Sequence, residues 1–120
     1  MGVTTVQARI FGELESREYT FMVDTGSTYL ALPWEEIEAL GLDGGDWGTV
    51  KLVSATGPVE VDTYFARGEL MGERFRAILV PASTPLLGYE LLQNLRFKVN
   101  PVTHEIEKVP DDEIHPPFQL

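Results

Sequence analysis

An apolar run, Phe21-Met22-Val23, passes directly into Asp24-Thr25-Gly26-Ser27. That junction constrains the chain more than any other stretch. An extended apolar segment belongs in a core, whereas an acid followed by small polar residues and a glycine belongs in a tight turn at the core's rim. The segment therefore reads as a strand that delivers one carboxylate, Asp24, to a rigidly held turn. Asp and Gly are favoured in turns for purely local reasons, and taken alone that explanation suffices. What the rest of the chain supplies decides whether the acid does chemistry.

Upstream, Val6 to Phe11 alternates like a strand, and the polar, Gly-containing stretch from Gly12 to Glu18 suits a hairpin connection into a second strand, Tyr19 to Val23. Downstream, Tyr29-Leu30-Ala31-Leu32 is a short apolar piece. Pro33 then opens Trp34 to Leu40, which carries acids in its first turn and is followed by Gly41, the signals of a short helix. Trp34, Ile37 and Leu40 share one face of it and are expected in the core. Leu42 to Gly48 holds three glycines and two aspartates and reads as a loop.

Thr49 to Val53 and Val59 to Ala66 read as a long hairpin around the small residues Ser54-Ala55-Thr56-Gly57-Pro58. Val59, Val61, Thr63 and Phe65 fall on one face, and Glu60, Asp62 and Tyr64 on the other. Arg67 to Leu70 and Arg74 to Val80 make another hairpin around Met71-Gly72-Glu73. After a loop at Pro81 to Pro85 come Leu86-Leu87-Gly88, a short helix from Tyr89 to Leu95, and a last hairpin of Arg96 to Val99 with Glu105 to Val109. About nine strands and two short helices argue a mainly β domain, closed or sandwich-like. Residues 1–110 form this one domain, and 111–120 an acidic, proline-containing C-terminal tail.

Composition narrows the function. Of 120 residues 43% are hydrophobic, enough for one modest core. No apolar run approaches the ~20 residues of a membrane span, and the start lacks the pattern of a signal peptide. A net charge of -10 repels phosphate backbones and anionic lipid, so neither a nucleic acid nor a membrane is an expected partner. There is no cysteine, which excludes disulfides, thiolate metal sites and a thiol nucleophile and fits a cytoplasmic setting. His104 sits in a turn and His115 in the tail, so they read as surface residues, and no metal or cofactor is expected. Glu35, Glu36 and Glu38 read as a solvated helix face. Ser27 has no local base that would make it a nucleophile.

Four segments in order now carry a resemblance. Asp24-Thr25-Gly26-Ser27 follows an apolar strand, Thr28 to Gly41 contains Leu32-Pro33 and Leu40-Gly41, Ala55-Thr56-Gly57 tips a hairpin, and Leu86-Leu87-Gly88 follows far downstream. Together, over Val6 to about Val109, they resemble the retropepsin-like aspartic proteases, the single-lobe, retroviral-type family, in its prokaryotic form. The resemblance implies a closed β-barrel with one or two short helices and a flap hairpin. It implies an aspartic endopeptidase in which water is activated between two carboxylates. Because only one Asp-Thr-Gly is present, it implies a homodimer, with Asp24 from each subunit, acting on polypeptide.

The same resemblance assigns supporting roles. Thr25 hydrogen-bonds across the dimer to the partner's matching loop, Gly26 lets backbone approach the carboxylates, and Ser27 donates to Asp24. Leu86, Leu87 and Gly88 pack behind that loop. Ala55, Thr56 and Gly57 are the flap tip that closes on substrate. The chain departs from retroviral members in having Tyr89 after the Leu-Leu-Gly motif, a single tip glycine followed by the stiff Pro58, and Pro116-Pro117 in the tail. Two further readings stand beside this one: a non-catalytic dimeric peptide- or protein-binding module on the same fold, and a ligand-binding barrel with a fortuitous turn.

Overall fold

The alternation of the first half is realised as hairpins wrapped around a single apolar interior. The computed structural model describes residues 3–24, 28–54 and 56–110, with backbone alone at 45–47 and 54. In chain order the elements are β1 (Thr5–Phe11), β2 (Ser16–Asp24), β3 (Leu30–Leu32), α1 (Trp34–Leu40), β4 (Asp43–Ser54), β5 (Gly57–Leu70), β6 (Glu73–Pro81), β7 (Leu86–Gly88), α2 (Tyr89–Asn94), β8 (Phe97–Val99) and β9 (Ile106–Lys108).

The main sheet runs β1-β2-β7-β3-β6-β5-β4, and β1 also pairs with β5. The second contact closes six strands into a barrel and leaves β4 outside it, paired only with β5. The fold is thus the closed, mainly β alternative. Its interior is filled by alternate side chains: Val6, Ala8 and Ile10 of β1, Phe21 of β2, Leu30 and Leu32 of β3, Leu79 of β6 and Leu87 of β7. The two helices cover it with Ile37 and Leu40, and with Leu91 and Leu92.

Helix α1 follows its sequence signals closely. Pro33 takes the N-cap position, and Gly41 ends the helix in the left-handed conformation at φ 70°. The β1–β2 hairpin is locked onto that end. Leu14 N–H donates to the Leu40 carbonyl at 3.0 Å, and a Cβ on Gly12 would lie 2.0 Å from the same oxygen.

Four expectations need correction. Trp34 does not join Ile37 and Leu40 in the core. It is 46% exposed and lies against Tyr64, ring centroids 5.9 Å apart. Second, 42–48 is not a loop, since β4 begins at Asp43 and pairs with β5 through a register shift between Gly44 and Thr49. Glycine serves close approach of strands there: a Cβ on Gly44 would sit 2.5 Å from the Tyr64 Cα.

Third, Val59 to Ala66 and Arg67 to Leu70 do not belong to separate strands: β5 is continuous through both, with Tyr64 buried and Phe65 39% exposed. The ends of this strand have different surroundings. Its first part belongs to the protruding hairpin, and from Tyr64 it enters the barrel wall with Tyr64, Ala66, Gly68 and Leu70 buried. Thr63 is buried too and donates to the Gly48 carbonyl at 3.0 Å, across the register shift. Fourth, β2 starts at Ser16 rather than Tyr19, because Ser16 already pairs with Phe11.

Arg17, at the start of β2, is held by carboxylates of Glu15 and Glu36, at 2.9 and 2.8 Å, and the Tyr19 hydroxyl donates to Glu36 at 2.7 Å. Glu36 thereby ties β2 to α1. The hydrogen bonds from Tyr19 and then Arg17 hold its carboxyl below the usual glutamate value of 4.5. A depressed carboxyl contributes stability above its unfolded pKa, and that contribution disappears as pH falls through the folded one. Glu36→Gln is therefore expected to lower Tm at neutral pH by a few degrees, with the gap to the native protein closing below about pH 4.5. Thermal melts at pH 7 and pH 3 check this; a gap unchanged at pH 3 excludes the ionic contribution.

Candidate active site

Asp24 is the last residue of β2, and β2 is fixed on both flanks up to that point. On one side the Val23 N–H donates to the Thr4 carbonyl at 2.9 Å. On the other, β7 runs parallel to it, with Met22, Val23 and Asp24 in register with Leu86, Leu87 and Gly88. The Met22 N–H also donates to the Pro85 carbonyl at 3.2 Å. Phe21 and Leu87 are fully buried and Asp24 is half-buried. The acid thus stands where a packed strand emerges at the surface, with little freedom left in its backbone.

The two motifs are brought together by strand order. β7 lies between β2, which ends at Asp24, and β3, which begins at Leu30; Ala31 of β3 pairs with Leu86. A downstream segment is inserted between the two arms of an upstream one, so neither arm can shift without breaking contacts to Leu86-Leu87-Gly88. Gly88 is buried and caps α2 at φ -66° and ψ 141°, torsions open to any residue. β3 then crosses the core with Leu30, Ala31 and Leu32 all buried and runs parallel to β6.

Thr25, Gly26 and Ser27 lie outside the described residues, as does Ala55 of the hairpin tip. The hairpin itself is described on both sides. Val53 pairs with Pro58 and Ser54 with Gly57, whose φ of 117° suits glycine; Thr56 is exposed. Val53 is 93% exposed and Val59 40% exposed, an apolar surface left uncovered among the described residues. Sequence reading missed Thr4 and Pro85 as holders of β2, because they act through backbone carbonyls, which leave no mark on residue type.

Among the described residues no group of three or more His, Asp or Glu could hold a metal ion. His104 lies in the β8–β9 connection with φ 61°, its N–H donating to the Asn100 carbonyl at 2.8 Å, and His115 lies outside the described residues. No described helix is long and apolar enough to cross a membrane.

Comparison with solved structures finds this fold in the EIAV protease complexed with the inhibitor HBY-793. The TM-score is 0.66 at 18% identity, over 82% of this chain and 93% of that one. No curated protein matches the chain. The aspartyl protease family model matches residues 6–91, a span that contains Asp24, the hairpin tip and Leu86-Leu87-Gly88. With most of its length matched from the first strand of the barrel to its second helix, the chain belongs to the aspartyl protease family.

Proposed function

We propose that the protein is an aspartic endopeptidase, active as a homodimer, that hydrolyses polypeptide with Asp24 supplied by each subunit. The observation that carries this reading is the seating of Asp24 at the end of β2, in register with Gly88 of β7. The chain has one such acid, and peptide hydrolysis needs both a base to activate water and an acid to protonate the leaving amine. Two like carboxylates a few ångströms apart do not both ionise, so one proton is shared and the two roles divide between them. Their apparent pKa values then belong to the pair.

Thr25, Gly26 and Ser27 would brace this dyad, and Leu87 and Gly88 hold the strand beneath it. The hairpin ending in Ala55-Thr56-Gly57 would close over an extended substrate and exclude water, its exposed Val53 and Val59 meeting apolar side chains. Residues 1–110 constitute the protease domain in this reading. The absence of cysteine suits a cytoplasmic protein, and the net charge of -10 suits polypeptide better than nucleic acid or a membrane surface.

A site that needs two copies makes activity depend on assembly. Below the dimer dissociation constant the cleavage rate of an unfolded protein substrate is expected to rise with about the second power of enzyme concentration. Adding Asp24→Asn chains is expected to suppress the native enzyme, since in a freely exchanging equal mixture only about one dimer in four keeps both acids. A rate that stays linear on dilution, and that ignores added Asp24→Asn protein, overturns the homodimeric mechanism.

A further inference from the structure

The outer face of the barrel carries a cationic groove that this mechanism leaves unused. Side chains of β1, β5 and β6 stand there in rows. In one row Arg9 opposes Glu69 and Glu69 opposes Arg74, whose Nε lies 3.9 Å from the Glu69 carboxylate. In the next, Phe11 opposes Arg67 and Arg67 opposes Arg76. This second row sets two exposed cations face to face and contains no acid. Like charges directly opposite one another destabilise a strand pair. Among the described residues neither the Arg67 nor the Arg76 guanidinium has an ion-pair or hydrogen-bond partner.

The row is also roofless. Two adjoining cavities of about 750 and 490 Å³ open over it, and Phe11, Arg67 and Arg76 line both. Arg74 adds a third cation to the larger, which no acid among the described residues lines, whereas Glu13 and Asp43 line the smaller, so the cationic part of the groove is the larger cavity. Beside it, the paired Phe65 and Ile78 are 39% and 45% exposed, so apolar surface adjoins the charges. Arg76 and Ile78 reach a third cavity, of about 230 Å³, that is shared with Thr28, Tyr29 and Leu30, the residues that follow the Asp24 turn. The groove thus adjoins, through Arg76, a cavity beside residues 28–30, on whose wall Glu90 also stands.

We infer that the Arg67–Arg76 groove binds an acidic segment of the polypeptide substrate that flanks the bond presented to Asp24, an inference that rests on the proteolytic reading. Guanidinium groups accept carboxylates in forked pairs, and a carboxylate laid between Arg67 and Arg76 relieves their mutual repulsion. An apolar side chain next to it would rest on Phe65 and Ile78. β2, β7, β3 and β6 are successive neighbours. At ~4.8 Å per strand the strands of Asp24 and Arg76 lie on the order of 15 Å apart, which about four to six extended residues span.

The test compares two peptides with one cleavable segment. The first carries Asp-Glu-Asp about five residues from the scissile bond, and the second carries Asn-Gln-Asn. The acidic peptide is expected to show roughly tenfold higher kcat/KM at low ionic strength, an advantage that 0.5 M salt removes. In the Arg67→Gln/Arg76→Gln protein the advantage disappears while cleavage of the neutral peptide is unchanged. Equal rates for the two peptides in the native protein, or an equal loss of both in the variant, overturn the inference.

A binding measurement separates this site from the catalytic reading. Fluorescence anisotropy of the labelled acidic peptide on full-length Asp24→Asn protein is expected to report binding that Arg67→Gln/Arg76→Gln weakens about tenfold. If that holds while the native protein cleaves nothing, the groove stands as an acidic-peptide site and the proteolytic reading falls. If neutralising the chain's own acids, in Asp111→Asn/Asp112→Asn/Glu113→Gln, tightens peptide binding tenfold, those acids compete for the groove, and its assignment to substrate is overturned.

Discussion

Asp24→Asn is expected to lower the rate of peptide cleavage by at least ~10³-fold, with Tm and circular dichroism unchanged. The substitution separates the two explanations of this residue. As a turn former Asn serves as well as Asp, and it is nearly the same size at a half-buried position. It cannot, however, take up or release a proton near neutral pH, so in the proposed mechanism no general base survives and no proton is left to share between two acids. A purely structural Asp24 predicts full activity in the variant. Cleavage of an unfolded substrate at several pH values, read as fragments, checks the outcome, and retained activity sinks the aspartic mechanism.

Leu87→Ala is expected to be the most damaging of the conservative changes to the barrel. Leu87 is fully buried in β7, between β2 and β3, and pairs with Val23. Truncation removes apolar contacts and leaves a cavity that paired strands on either side cannot collapse to fill, a loss of about 2–5 kcal/mol. In a domain of this size that lowers Tm by ~10–20 °C. Because β7 is the floor of the site, kcat is expected to fall further than the folded fraction accounts for. Leu87→Met, which keeps most of the volume, is expected to cost under ~1.5 kcal/mol and to restore activity. Tm and kcat measured on both variants decide it; a Leu87→Ala protein with native stability contradicts the packing described for β7.

Where local chemistry dictates local structure, the elements follow from sequence. Pro33, the acids of the first turn and Gly41 delimit α1 to the residue. The short turns at 12–15 and 71–72 separate strands whose alternation is visible without coordinates. Legibility fails where one residue type serves two purposes. Gly44 and its neighbours look like a flexible loop, yet Gly44 is a point of close strand approach, because the missing side chain is needed by Tyr64 rather than by a turn. Residues 59–65 are apolar on one face, yet burial does not follow that face, with Thr63 and Tyr64 both buried and Phe65 exposed, because a single strand passes from a protruding hairpin into a barrel wall. Trp34 obeys helical periodicity and still emerges beside Tyr64, since periodicity records direction around a helix and not the extent of the core beneath it.

The amino-acid order alone determined that an apolar strand ends in one carboxylate, that the domain is mainly β, and that a matching Leu-Leu-Gly segment follows downstream. These are consequences of side-chain size, polarity and torsional preference, which act over a few residues. Only the tertiary structure decided that β7 slides between β2 and β3, that β1 meets β5 to close the barrel, and that Arg67 and Arg76 face each other without an acid between them. Such pairings join residues far apart in the chain. What fixes them is the requirement that every strand bury its apolar face and satisfy its backbone hydrogen bonds at once, a condition met by the whole molecule and by no segment of it.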